Sequence, residues 1–233
     1  MKFRWFVVAA CLLFAVQSFA QDKTDLKDQK EKWSYVIGVD IGRALQKQGV
    51  PVDPDLVAKG IRDGVSGDKL LMTDQEIQET MVAFQKEMQA KQEAANKQAG
   101  EKNKKEGEAF LEANKTKEGV TALPSGLQYK VVTAGTGKKP KETDTVVAHY
   151  KGTLLDGTEF DSSYKRNQPA TLKVNGVIRG WTEALQLMEE GAKWILYVPA
   201  ALAYGERVAG PQIGPNSTLI FEVELISIQQ PPK

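Results

Sequence analysis

The sequence predicts an α+β protein, with a C-terminal antiparallel β-sheet wrapped on one short helix, preceded by an all-α domain and a long linker helix. Three observations carry this. Apolar residues recur at helical spacing through the first third of the chain and alternate at a spacing of two from Leu127 onward. No proline interrupts residues 73–117, which are largely Gln, Glu, Lys and Ala. Among the strand-like segments that follow, only residues 177–188 read as an amphipathic helix. A single short helix amid strands must lie against a sheet to bury its apolar face.

Residues 1–20 stand apart. Lys2 and Arg4 precede an apolar run over 6–16, and Ser18-Phe19-Ala20 offers small residues at the two positions a signal peptidase reads. This is a secretory signal peptide, too short for a comfortable membrane span, with cleavage expected after Ala20. The competing reading takes Val8-Ala9-Ala10-Cys11 as a lipoprotein acylation box; the apolar run continues past it through Leu12-Leu13-Phe14, which favours the signal peptide. Cys11 is the only cysteine, so the cleaved chain has none. An exported chain without disulfides must be held by its core or by self-association. Cleavage also removes two of the 31 basic residues, Lys2 and Arg4, leaving 29 against 30 acidic ones and a net charge of −1. A near-neutral chain without a basic stripe argues against nucleic acid as a partner. Export makes the periplasm of a Gram-negative cell the expected location, with outer-membrane association as the alternative.

Residues 21–72 read as helical. Trp33, Val36, Ile37, Ile41, Ala44 and Leu45 share one face, and Gly49-Val50-Pro51 stops the pattern. Gly38 and Gly42, four apart, make a smooth patch that suits close approach of another helix. Asp53-Pro54 is an N-cap with proline at the first helical position, opening a second helix through Leu56, Val57, Ile61 and Val65 to Gly67. These helices present more apolar face than about fifty residues can bury alone. A second copy of the chain is the simplest cover, so an all-α dimerisation domain is expected, with a homodimer formed through residues 22–90.

Thr73-Asp74-Gln75-Glu76 is a capping box that opens the linker helix over 73–117. Its apolar face fades beyond Ala95, and some forty helical residues would span about 60 Å. The expectation is a solvated spacer holding two C-terminal domains apart, with Gly100 and Gly107 as points where it bends or frays.

From residue 118 the period is two. Leu127, Tyr129 and Val131 mark a half-buried strand. A second strand over 145–155 closes on Asp156-Gly157, a hairpin signal. Shorter strands are expected over 160–163 and 170–174, then over 194–198. In the last, over 218–228, Leu219, Phe221, Val223 and Leu225 face one side and Glu222 and Glu224 the other. Within residues 177–188, Gly180 permits a sharp turn, Trp181, Leu185 and Met188 share the buried face, and Gly191 is the expected C-cap.

The usual reactive constellations are missing. His149 is the only histidine, and it alternates with Tyr150 on its strand, so Cys/His and Ser/His/Asp catalysis lack parts. No metal-ligand spacing and no glycine-rich phosphate loop is present, so no metal and no cofactor are expected. Apolar and aromatic residues at the junction of sheet and helix are what remain, and each taken alone reads as core before it reads as site.

Four motifs in order change that reading. Leu155-Asp156-Gly157-Thr158-Glu159-Phe160-Asp161-Ser162-Ser163, Val177-Ile178-Arg179-Gly180-Trp181, Ala203-Tyr204-Gly205 and Thr218-Leu219-Ile220-Phe221-Glu222-Val223-Glu224-Leu225 closely resemble the FK506-binding (FKBP) family of peptidyl-prolyl cis-trans isomerases. The match covers about residues 120–229, within an expected isomerase domain over 118–233. Trp33-Ser34-Tyr35-Val36-Ile37-Gly38 and Gly60-Ile61-Arg62-Asp63-Gly64 more loosely resemble the exported, dimeric branch of that family, the macrophage infectivity potentiator and FkpA-type proteins.

The resemblance implies an FKBP-like fold and a rotamase acting on X–Pro bonds of unfolded or proline-containing exported polypeptides, without a cofactor, and also a folding chaperone. The alternative is a non-catalytic module that binds proline segments, or a holdase whose helical dimer is the functional part. By position, Tyr150, Phe160, Val177, Trp181, Ile213 and Phe221 would surround a proline-sized hollow floored by Trp181. The Tyr204 hydroxyl and the Ile178 backbone N–H would contact substrate carbonyls, and Asp161 would sit at the rim, held by Arg166. Macrolide inhibitors of the FK506 and rapamycin type are implied ligands. Ala170 and Leu172 stand where single-domain members often carry aromatics, which thins one wall, and the divergent segment 206–212 should help set substrate preference.

Overall fold

The computed structural model describes residues 25–67 and 69–229, and the readings on signal cleavage and on Cys11 lie outside them. The chain divides into two compact units after Ile77.

The first unit holds α1 (Gln29–Lys47), α2 (Pro54–Ser66) and the start of α3 (Asp74–Asn114). Each begins where its cap residue dictates. The Asp28 carboxylate accepts the Glu31 N–H at 2.8 Å, and Asp53 accepts those of Asp55 and Leu56 at 2.8 and 3.2 Å. The capping box forms reciprocally: the Thr73 N–H donates to Glu76 Oε2 at 2.8 Å, and the Glu76 N–H donates to Thr73 Oγ1 at 3.3 Å. Gly67 closes α2 in the left-handed conformation, φ 73°. Neither α1 nor α2 buries a single residue; Trp33 remains 62% exposed and Val65 86%.

In the second unit seven strands form one antiparallel sheet: β1 (Val120–Ala122), β2 (Gln128–Thr133), β3 (Thr145–Thr153), β4 (Glu159–Ser162), β5 (Ala170–Lys173), β6 (Lys193–Val198) and β7 (Leu219–Gln229). Their order is β1-β2-β6-β7-β3-β4, with β5 also on β3. On β7 the side chains of Leu219, Phe221, Val223 and Leu225 are buried while Glu222 and Glu224 face solvent in part, as the alternation requires. The short helix α4 (Arg179–Leu187) covers the inner face, and Trp181, Ala184, Leu185 and Met188 join Leu196, Val198 and the β7 residues in one core. Burying a large apolar side chain of this kind stabilises by about 1.5–3 kcal/mol.

Four expectations need correction. Gly180 lies inside α4 and makes no turn; a Cβ there would come within 2.6 Å of Val198, so glycine is needed for the close approach of α4 to β6. The helix stops at Leu187, and Gly191 (φ 85°) belongs to the turn into β6, its N–H donating to the Leu225 carbonyl at 2.7 Å. Val131 is 44% exposed, because β1 pairs with β2 only as far as Lys130 and leaves the rest of β2 an edge. The three-residue β1 itself was too short to show a period.

The fourth concerns α3, whose far half is no solvated spacer. Gly100 and Gly107 are buried within an unbroken helix. A Cβ at Gly100 would come within 3.2 Å of Pro215, and one at Gly107 would run into the Thr218 hydroxyl. Asn103, Phe110 and Asn114 continue the same face at alternating steps of three and four. Asn103 Nδ2 donates to the Pro215 carbonyl at 2.9 Å, the Phe110 ring lies 5.9 Å from that of Tyr197, and Asn114 Nδ2 donates to Gln128 Oε1 at 3.0 Å. Gln128 in turn donates to the Leu111 carbonyl at 2.8 Å. Small and amide side chains form this seam, which hydropathy does not mark as a buried face.

Candidate functional site: an aromatic hollow between sheet and helix

A hollow of about 970 Å³ opens between α4, strands β3, β4 and β7, and the loop over 199–218. That lies at the upper end of the range for small-ligand sites, roomy enough for a peptide segment as well as a ring. All nine residues singled out from the sequence line it: Tyr150, Phe160, Asp161, Val177, Ile178, Trp181, Tyr204, Ile213 and Phe221.

Trp181, Phe221 and Ile213 are 4, 5 and 6% exposed and make its depth. The Trp181 ring meets Tyr150 and Phe221 edge-on, each at 5.3 Å, and Phe221 meets Phe160 edge-on at 5.6 Å. Edge-to-face contacts of this kind lock aromatic rings in place. Gly152 makes the cluster possible. A Cβ on it would lie 2.6 Å from the Phe160 ring and 2.9 Å from Phe221. Nothing local in the sequence marks Gly152, which sits mid-strand, except that an interior strand glycine often signals a close approach.

The rim is polar and tied. The Tyr150 hydroxyl donates to Asp161 Oδ2 at 2.5 Å; Arg166 pairs with Asp161 Oδ1 and donates from Nη2 to the Tyr150 oxygen at 2.8 Å. Burial alone would raise the Asp161 carboxyl. The hydrogen bonds from Tyr150 and Arg166, with the charge of Arg166, outweigh it and hold Asp161 below the ordinary aspartate range. Burial, then the bond to Asp161, pushes the Tyr150 phenol up.

Three donors find no partner among the described residues. Ile178 is the N-cap of α4; its carbonyl accepts from the Trp181 and Thr182 N–H groups at 2.9 and 3.1 Å, while its own N–H donates to none of the described residues. Among them the Tyr204 hydroxyl likewise has no hydrogen bond, and Trp181 Nε1 is buried without a partner. Arg179, passed over in the sequence, lines the hollow beside Ile178 and donates to the Ala201 carbonyl. Arg207, from the divergent segment, also lines it. Leu172 contributes to the wall, and Ala170, paired with Ala148 in the sheet, is not among the lining residues.

His149 stands away from all this. Its Nδ1 lies 2.9 Å from Ser163 Oγ and its ring stacks on Tyr164 at 4.6 Å. Ser163 is fully buried, and its hydroxyl is occupied by the backbone of Tyr150, accepting at 2.8 Å and donating at 3.1 Å. The pair is structural, not a nucleophile and its base. No cluster of three or more His, Cys, Asp or Glu among the described residues could hold a metal ion.

An aromatic floor, a tied polar rim and backbone and phenolic donors that no described residue occupies define a receptor for an apolar peptide segment and its flanking carbonyls. Comparison with known proteins gives the particular family. Residues 30–131 match the model for the domain amino-terminal to FKBP-type peptidyl-prolyl isomerase, and residues 136–226 match FKBP-type peptidyl-prolyl cis-trans isomerase. The chain is 51% identical over 211 residues to the outer membrane protein MIP of Legionella longbeachae, covering 91% of each protein. It is 46% identical over 211 residues to the peptidyl-prolyl cis-trans isomerase Mip of Coxiella burnetii, covering 91% of this chain and 92% of that one. The crystal structure of FkpA from Escherichia coli superposes with a TM-score of 0.66 at 38% identity, over 89% of this chain and all of that one. The chain belongs to the FKBP-type peptidyl-prolyl isomerase family, with the amino-terminal domain of its Mip and FkpA members.

Proposed function

We propose that this protein is a cofactor-free peptidyl-prolyl cis-trans isomerase of exported polypeptides. The observation that carries the reading is that Ile178, whose N–H donates to none of the described residues, lines the same aromatic hollow as Trp181. Rotation about a peptide bond faces a barrier of about 18–20 kcal/mol because resonance is lost at the twist. The planar amide has more charge separation than the twisted one, so an apolar hollow disfavours it relative to the twisted state. Tyr150, Phe160, Val177, Trp181, Ile213 and Phe221 hold the prolyl ring. The Ile178 N–H and the Tyr204 hydroxyl hold the neighbouring carbonyls while the bond turns, and Asp161 presents a fixed carboxylate at the rim. Each 1.36 kcal/mol of preference for the twisted state is about tenfold in rate.

The test is cis-to-trans isomerisation of a short X–Pro peptide, which takes tens to hundreds of seconds unassisted. The mature chain should accelerate it strongly, and Asp161→Ala should lose most of that. A folded wild-type chain without acceleration would leave only a binding module.

Residues 21–72 and the start of α3 form the dimerisation part in this reading, and residues 118–233 the isomerase part. The support is the unburied apolar face of α1 and α2, with Trp33, Ile37, Leu56 and Val65 all more than half exposed. A second copy covers it, through residues 22–90. The same face favours a chaperone activity beside the isomerase. A chain carrying Asp161→Ala that still suppresses aggregation of an unfolded substrate would separate the two. Residues 1–20 act as a cleaved signal peptide and the mature protein is periplasmic; among the described residues no helix is long and apolar enough to cross a membrane. FK506- and rapamycin-type macrolides enter the hollow but bind weakly, since Leu172 supplies one wall without an aromatic ring.

A further inference from the structure

The loop over 199–218 forms a wall of the hollow that belongs to neither the sheet nor α4. It reaches the hollow through Tyr204, Ala209 and Ile213. Among the bonds that close it on itself, the Ala209 N–H donates to the Ile213 carbonyl at 2.9 Å, the Asn216 N–H to the Gly205 carbonyl at 2.7 Å and the Ser217 hydroxyl to the Gly214 carbonyl at 2.9 Å. Gly205 and Asn216 are both in the left-handed region, at φ 62° and φ 56°. An asparagine tolerates that conformation but does not enforce it, so the closure needs outside support.

Helix α3 supplies it. Asn216 Nδ2 donates to the Gly100 carbonyl at 3.4 Å. Asn103 Nδ2 donates to the Pro215 carbonyl at 2.9 Å and reaches Ser217 Oγ at 3.4 Å. The same amide nitrogen would lie 3.1 Å from a Cβ on Gly214, so it covers the turn directly after Ile213. Gly100, lacking a side chain, lets the helix come down onto Pro215.

We propose that Asn103 is a positioning residue for the isomerase site: from the arm helix it fixes the 214–217 turn and so sets where Tyr204 and Ile213 stand against the residue preceding proline. The helix is then part of the site's specificity and more than a connector. This rests on the isomerase reading above.

The readout is the ratio of kcat/KM for two peptides, Leu–Pro and Ala–Pro, measured on full mature chains. Both values scale with the folded fraction, so their ratio is blind to stability. Loss of the Asn103 hydrogen bonds by Asn103→Ala should change this ratio by about two- to tenfold. Asn103→Leu, near in size and a better helix former, serves if the alanine variant folds poorly. Asn114→Ala is the control, since Asn114 lies on the same seam, is more deeply buried than Asn103 and bonds Gln128, away from the loop. It should lower the melting temperature and leave the ratio alone. An unchanged ratio in both Asn103 variants overturns the proposal, and so does an equal change in Asn114→Ala. No acceleration by the wild-type chain would instead sink the isomerase reading, a result the wild-type arm shows by itself.

Discussion

The hydroxyl of Tyr150 on β3 donates to Oδ2 of Asp161 on the neighbouring strand β4 at 2.5 Å, and Arg166 closes the triangle by bonding both. Two groups of opposite kind, a lining aromatic and a rim carboxylate, are thereby held as one unit. The carboxylate is the charged form that the bonds favour, so its folded pKa lies below that of the unfolded chain. Its contribution to stability is present above the unfolded value, about 3.9, and is lost as pH falls through the lower folded value. The isomerisation rate should therefore stay flat from neutral pH down to about 5 and fall only below the ordinary aspartate range. Asp161→Asn should lower the plateau and remove that acid limb. A limb centred well above the aspartate range would show that another group governs it.

Tyr204 tests the donor role directly. Tyr204→Phe removes one hydroxyl with no partner among the described residues, so the melting temperature should hold. Loss of a single substrate hydrogen bond, about 0.5–1.5 kcal/mol net, should lower kcat/KM by two- to tenfold. An unchanged rate removes the hydroxyl from the mechanism.

Gly152→Ala should act through the aromatic wall. The added methyl meets the rings of Phe160 and Phe221, and overpacking of this kind costs about 1–3 kcal/mol. Thermal denaturation should show that loss, together with a fall in peptide turnover beyond what the remaining folded fraction explains. Turnover that tracks the folded fraction would leave the wall intact.

Gly42 probes the exposed face of α1. Among the described residues, nothing outside the helix's own backbone comes within 4 Å of a Cβ at Gly38 or Gly42, and alanine there should stabilise an isolated helix by about 1 kcal/mol. If a second copy packs on this patch, Gly42→Leu should instead convert a dimer to a monomer in sedimentation, with peptide turnover retained. A wild-type chain that sediments as a monomer at micromolar concentration would end the dimer proposal.

Much of this molecule was legible in the sequence because its signals are local. Asp53-Pro54 and the Thr73–Glu76 capping box fix helix starts within one turn of chain. The alternation of Leu219, Phe221, Val223 and Leu225 fixes which face of β7 is buried, and the four motifs hold seven of the nine hollow residues named from the sequence, Tyr150 and Ile213 lying outside them. Gly100, Asn103 and Gly107 read locally as part of a solvated spacer, and the fold buries that face. Their partners Pro215, Ser217 and Thr218 lie more than a hundred residues away, and a glycine that frays a free helix is the same residue that lets a packed one approach. Gly180 was likewise read from its own backbone freedom, when the side chain of Val198 decides it. Caps and periods are set by neighbours in the chain, whereas close approach is set by whatever the fold brings opposite. Only the tertiary structure could supply those partners.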